Sequence, residues 1–217
     1  MLVLASTLTQ FEKPSLTAEQ WRENDRRAQA EERRQADAAV RSRLLASGIP
    51  AEFRDASVAV PEVASWLSEP GYGLLLKGRP GRGKTHEACG ALKVLAASGS
   101  VRFVSADDLV RGYASALRLD GSHQGYVNGY TAPRALVVDD LGKEEDRWSA
   151  VQTLFAVLDR RGQRMRPTIV TTNMDGKALL ARYSERGDRT TAEALISRLS
   201  RYKVVEVGGA DRRLPCA

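Results

Sequence analysis

The passage that most restricts how this chain can fold is Leu74-Leu75-Leu76-Lys77, followed at once by Gly78-Arg79-Pro80-Gly81-Arg82-Gly83-Lys84-Thr85. It fits G-x-x-x-x-G-K-[ST], a phosphate-binding loop set between a buried strand and a helix. Glycines at 78, 81 and 83 let the backbone wrap closely and aim N–H groups at a polyphosphate. Lys84 is then placed to reach the β- and γ-phosphates of a nucleotide, and the Thr85 hydroxyl to take a position on Mg²⁺. A helix starting near Gly83 adds the positive end of its dipole. Residues 78–85, with Arg79, Pro80 and Arg82 in the loop itself, form the expected nucleotide site.

Strand and helix alternate from there onward, as a parallel sheet requires. A helix is expected over 84–97, a strand over Val101–Ser105 and a helix over 107–117. Residues 118–131, with Gly121, Gly125, Asn128 and Gly129, read as a surface excursion that carries Tyr126 and Tyr130. Ala135–Val138 reads as a buried strand ending on Asp139 and Asp140, an arrangement that matches a Walker B element. Asp139 would hold Mg²⁺ through water, and either Asp140 or the nearby Glu144 would polarise the attacking water. The strand at 101–105 lies between loop and acids in the chain, which points to the additional-strand class of ATPases. A helix over 146–163 presents Trp148, Val151, Leu154, Phe155 and Leu158 on one face. It runs into the basic cluster Arg160–Arg166, which either stabilises a helix C-terminus or contacts nucleic acid. Thr168–Asn173 is a strand finishing on an amide that can orient water. Helices near 176–183 and 191–200 precede a strand at Val204–Val207. Arg198 and Arg201 either solvate a helix or offer a guanidinium to a neighbouring subunit's nucleotide.

Upstream, residues 15–46 read as one long charged helix. Thr17-Ala18-Glu19-Gln20 fits a capping box, and Leu16 with Trp21 has the spacing of a hydrophobic staple. Glu23 with Arg27 and Asp37 with Arg41 are i,i+4 pairs. With few large apolar residues, such a helix either bridges solvent or receives a partner. Ser47-Gly48-Ile49-Pro50 stops it, which divides the chain into a segment 1–46 and a core 47–217. Between Ala51 and Leu67, Phe53 and Val58 belong either to the core or beside a nucleotide base. A formal charge of +6 over 217 residues and a pI near 9.5 are compatible with nucleic acid or with simple solubility. Cys89 and Cys216 form no C-x-x-C, so a reducing, cytoplasmic setting is expected. Met1–Ala5 is apolar but short and lacks a basic leader, so neither signal peptide nor membrane span is expected.

Taken together, the passages Ser47–Pro50 with Phe53, Gly78–Thr85, Val138-Asp139-Asp140-Leu141-Gly142-Lys143-Glu144, Pro167–Asn173 and Ile196-Ser197-Arg198-Leu199 resemble the AAA+ ATPases of the DnaC type. These are the bacterial and phage replicative helicase loaders, whose relatives include the IstB-type transposase helper ATPases. The resemblance covers about residues 47–207. It implies an α/β P-loop fold with a five-stranded parallel sheet sandwiched by helices. It also implies an ATPase driven by Mg·ATP, self-assembly or docking on a ring-shaped replicative DNA helicase, and contact with single-stranded DNA. Asn173 would take the sensor-one role and Arg198 the arginine-finger role. DNA contacts would fall around Asp107–Tyr130, with Arg111 and Arg118 tracking phosphates. Too few residues follow Val207 for a helical lid. A transposase helper is the alternative within this chemistry, and a small-molecule P-loop kinase is the alternative outside it.

Overall fold

In the computed structural model, residues 17–71, 73–120, 123–145, 147–185 and 188–209 are described. The apolar opening at 1–5, Leu16 of the expected staple, Gly121, the Trp148 side chain and Cys216 lie outside the described residues. Five short runs pair in parallel: β1 (Gly73–Lys77), β2 (Val101–Ser105), β3 (Ala135–Leu141), β4 (Thr168–Thr172) and β5 (Lys203–Glu206). Their spatial order is β2-β3-β4-β1-β5. The central strands β3 and β4 are buried almost throughout, because helices cover both faces of the sheet. Side chains alternate between those faces with the period of two that a strand imposes. From β3, Leu136 and Val138 enter the core built with α4 (Ala106–Asp120), α5 (His123–Thr131), α6 (Arg147–Gln163), α7 (Gly176–Ser184) and α8 (Arg189–Leu199). Ala135 and Val137 enter the other core, with α2 (Pro61–Ser68) and α3 (Lys84–Leu95).

The charged helix forms as α1 (Ala18–Leu45). Its capping box is made in both directions: Thr17 N–H donates to Gln20 Oε1 at 2.8 Å, and Gln20 N–H to Thr17 Oγ1 at 3.3 Å. Arg27 pairs with Glu23 at 3.0 Å. Contacts divide the chain between Ala39 and Val40. In the first unit the helix buries none of its residues, and Trp21 is exposed. In the second unit, Val40 and Leu44 pack on the α2–α3 core, and Arg43 donates to the carbonyls of Ala96 and Ala97 at 2.8 and 3.1 Å. The turn that ends α1 lies on the outer edge of β2, where Ser47 O accepts the Phe103 N–H at 2.7 Å. Gly48 permits that approach: its φ is +82°, and a Cβ there would stand 3.0 Å from Phe103 O.

Residues 118–131 correct the expectation of a surface excursion. Helix α4 continues to Asp120, and α5 follows over His123–Thr131. Each glycine weakens a helix by about 1 kcal/mol relative to alanine. Burial outweighs that here, since Val127 and Tyr130 are sunk into the core and the Tyr126 hydroxyl donates to Leu109 O at 3.1 Å. The apolar lead-in at 51–67 likewise contains a helix, α2, with Pro61 in its first turn and Val63 and Trp66 buried. Among the described residues, no helix is long and apolar enough to cross a membrane.

Candidate functional site

Strand β1 lies between β4 and β5, so the carboxyl ends of β1, β3 and β4 open onto one crevice, where open α/β sheets bind ligands. The loop from β1 enters α3 through Gly83 at φ +87°, a left-handed conformation that suits glycine. Gly78 has no room for a side chain, since a Cβ there would stand 2.5 Å from Val207 O. The resulting cleft encloses about 500 Å³. Pro80, Gly81, Gly83, Lys84 and Thr85 line it from the loop, Asp139, Asp140 and Lys143 from β3 and its turn, and Asn173 from the end of β4. Glu52, Phe53 and His86 complete the wall.

The buried Lys84 ammonium donates to Arg79 O at 3.0 Å, and Arg79 and Pro80 themselves are exposed. Arg82 is half-buried outside the cleft lining. Thr85 Oγ1 donates to the Asp139 carboxylate at 3.0 and 3.1 Å. Thr171 Oγ1 donates to Asp139 Oδ1 at 2.6 Å and accepts the Asp140 N–H at 2.9 Å. Burial pushes the Asp139 carboxyl above its ordinary range. The Thr171 hydrogen bond opposes that, the neighbouring Asp140 charge adds to it, and Thr85 opposes it again. Asp140 stands at φ +59°, and Lys143 Nζ lies 2.7 Å from its Oδ2. Asn173 Oδ1 is buried with no hydrogen-bond partner among the described residues.

Glu144, the alternative to Asp140 as base, is wholly buried and absent from the cleft lining. Its carboxylate accepts the Gly142 N–H and the Tyr183 hydroxyl, and burial pushes its carboxyl up. Arg198 also lies away from the cleft. Its Nε donates to Asp159 Oδ1 at 2.9 Å, and its guanidinium stands 5.0 Å from the Phe155 ring centre. Arg111 pairs with Asp107 at 2.8 Å and Asp108 at 3.1 Å, while Arg118 is exposed. The cluster 160–166 is not one basic surface. Arg161 is fully buried and donates to Thr168 Oγ1 and to the carbonyls of Tyr130, Pro133, Arg134 and Pro167. Phe53 reaches the cleft, whereas Val58 packs on the core behind it.

Sequence reading did not single out Thr171, Glu52, His86 or Glu87. The buried Glu87 carboxylate accepts the N–H groups of Ala59 and Val60 at 3.0 and 3.2 Å, which fixes the lead-in segment against α3. For Thr171 a signal existed: a hydroxyl at the end of the strand beside Asp139, one of two threonines directly before Asn173.

Chemically, the cleft offers main-chain N–H groups and an ammonium for an anion, a hydroxyl–carboxylate pair that a divalent cation can share, and an acid and an amide nearby. Among the described residues, no group of three or more His, Cys, Asp or Glu side chains forms a closed metal cage. The Thr85–Asp139 pair suits Mg²⁺, which keeps waters and takes phosphate oxygens alongside one or two protein ligands.

Comparison with solved structures gives the same fold. The crystal structure of DnaI superposes with a TM-score of 0.60 at 23% identity, over 77% of this chain and 95% of that one. The DnaC helicase loader gives 0.59 at 20% identity, over 73% and 100%. The replication initiator DnaA bound to AMPPCP and single-stranded DNA gives 0.57 at 19%, over 76% and 52%. No curated protein sequence matches. Residues 55–216 match the family described as IstB-like ATP binding protein, and with this site on a five-stranded parallel AAA+ sheet, the chain belongs to that DnaC/IstB-like family of ATP-binding proteins.

Proposed function

We propose that the protein is an ATPase that loads a replicative DNA helicase, assembling with copies of itself when it binds Mg·ATP and holding single-stranded DNA. The observation that carries the reading is the convergence of Lys84, the Thr85–Asp139 pair, Asp140 and the unpartnered Asn173 amide oxygen on one cleft. Loop N–H groups from 78–85 and Lys84 bind the phosphates. Thr85 and Asp139 would hold Mg²⁺, whose chemistry when bound is neutralisation of phosphate charge. Asp140, facing the cleft beside Lys143, accepts a proton from the attacking water, and Asn173 orients that water. Arg198 completes the site of a neighbouring copy, in keeping with its place outside its own cleft. Arg118 is the more available of the two DNA candidates, because Arg111 is engaged by two carboxylates. The segment 1–46 receives the helicase, and the protein works in the cytoplasm. The family match favours a second reading, an IstB-type transposase helper with the same ATP chemistry.

Mixing tests the shared site. Lys84→Ala and Arg198→Ala proteins, each inactive alone, regain part of the ATPase rate when combined; no recovery refutes the shared site. Single strands raise the rate and bind in a salt-sensitive way, and an unchanged rate without such binding removes the DNA role. Capture of a replicative helicase by the full chain, but not by one shortened to begin at Val40, selects loader over transposase helper.

A further inference from the structure

Glu144 is a titratable group that the cleft does not use. A carboxyl at its depth requires donors, and it has them: Gly142 N–H lies 3.0 Å from Oε1, and the Tyr183 hydroxyl lies 3.2 and 3.1 Å from the two oxygens. Arg182, beside Tyr183 on α7, donates to the Glu144 main-chain carbonyl at 2.5 Å. Two successive residues of α7 therefore hold the turn that follows β3. The same turn is pressed against the segment after β4. Gly142 stands at φ +96°, and a Cβ there would lie 2.7 Å from Met174 Sδ and 3.0 Å from Leu179 Cδ2. Thr172 Oγ1 donates to Leu141 O at 2.7 Å and accepts the Met174 N–H at 3.1 Å. Asp140 precedes this turn and Asn173 precedes Met174, so these two cleft-lining side chains stand at the edges of one fastened unit.

Asp140 also needs that support. A left-handed backbone at a residue with a side chain is strained and persists only where its surroundings impose it. The Asp140 N–H is held by Thr171 on one side. On the other side, the chain two residues on is held by Glu144.

We infer that Glu144 is a positioning residue for ATP hydrolysis: its carboxylate fixes the Asp140–Lys143 turn through Gly142 and ties it to α7 through Tyr183, setting Asp140 and Asn173 relative to one another. The inference rests on the proposed ATPase reading. It assigns Glu144 a role distinct from the base, since it touches none of the reacting groups. Because α7 packs on α8, the helix that carries Arg198, the same carboxylate also joins the hydrolytic turn to the α7–α8 pair.

The test compares Glu144→Ala, Glu144→Gln and Tyr183→Phe by ATPase kinetics, ATP affinity and hydrogen exchange at the Gly142 amide. Glutamine keeps an oxygen for Gly142 and an amide that the Tyr183 oxygen can accept, so Glu144→Gln retains most of kcat. Glu144→Ala lowers kcat by roughly tenfold to a hundredfold, the scale of a one-ångström misplacement, and leaves ATP affinity unchanged. Exchange at Gly142 quickens in Glu144→Ala and, to a lesser degree, in Tyr183→Phe. A Glu144→Gln protein as slow as Glu144→Ala overturns the inference, since loss of the charge alone would then matter. So does a Glu144→Ala protein with the original kcat. If Glu144→Ala does not fold, Tyr183→Phe decides: lowered kcat with faster Gly142 exchange supports the role, and no change in either overturns it. If the unaltered chain hydrolyses no ATP, the ATPase reading fails by itself. Gly142 exchange in the variants then still judges the clamp, with unchanged exchange overturning it.

Discussion

Replacing Thr171 by valine tests how the cation-binding corner is held together. The substitution keeps the shape and removes one hydroxyl, which donates to Asp139 at 2.6 Å and accepts from the Asp140 N–H at 2.9 Å. A hydrogen bond to a charged group contributes about 1.5–3 kcal/mol, and a part-buried N–H left unpaired costs about 1 kcal/mol, the low end of the range for a buried one. The two losses share one atom and do not add in full, so Thr171→Val destabilises the fold by about 2–4 kcal/mol. Urea unfolding should show a lower midpoint with an unchanged slope. Asp139 would also lose one of the two hydroxyl partners that orient it, with Thr85 remaining. Loss of a second partner of this kind lowers metal affinity by about 10–100-fold. The Mg²⁺-dependent part of nucleotide affinity should therefore fall by that factor. Affinity measured in chelator should not change, because Lys84 and the loop N–H groups are untouched. Thr171→Ser, which keeps the hydroxyl, should restore both properties. A stability change below about 0.5 kcal/mol, within the range of surface substitutions, or an equal affinity loss with and without Mg²⁺, would refute the reasoning.

Two further outcomes follow from buried charge. Asp139→Asn should stabilise the metal-free fold at neutral pH while abolishing Mg²⁺-dependent turnover, because a carboxylate that burial disfavours is gone. Its raised folded pKa means that the native state holds a proton the unfolded chain has released, so this contribution is present at low pH and lost as pH rises through the folded value. The stability gap between variant and parent should widen over that interval, and pH-resolved urea melts check the sign. Arg161→Met should cost about 1–3 kcal/mol by calorimetry, since it strips the buried Tyr130 carbonyl of its donor, while Pro133 O keeps Arg166 and Pro167 O keeps the Leu136 N–H.

Local chemistry made the centre of the molecule legible. The loop glycines, Lys84 and Thr85 declare their geometry within eight positions, and the apolar runs at 101–105, 135–138 and 168–172 become strands because parallel sheets bury both faces. Asp139 was readable for the same reason, as the residue where a buried run meets the cleft. Elements decided by distant packing were less readable. Helix α5 contains Gly125, Asn128 and Gly129, each a poor helix former, and exists because Val127 and Tyr130 find a core built by α4 and α6. Glu144 was readable as an alternative to Asp140 from its position in the turn. Burial, the Gly142 N–H and the arrival of Tyr183 from 39 residues away separate their environments. Arg161 sat in an evidently basic run, yet three of its acceptors are carbonyls of a segment some thirty positions upstream, and no periodicity announces them.

The turn at Ser47 and Gly48 bears on how copies of this chain can meet. Strand β2 has five residues and forms one border of the sheet, and Ser47 O occupies the outward N–H at its midpoint. Too little of that border stays open to template another strand. Joining of protomers by continuous β-pairing through β2 is thereby discouraged. A bulkier residue at Gly48 would push the plug outward and unmask a sticky rim, favouring aggregation.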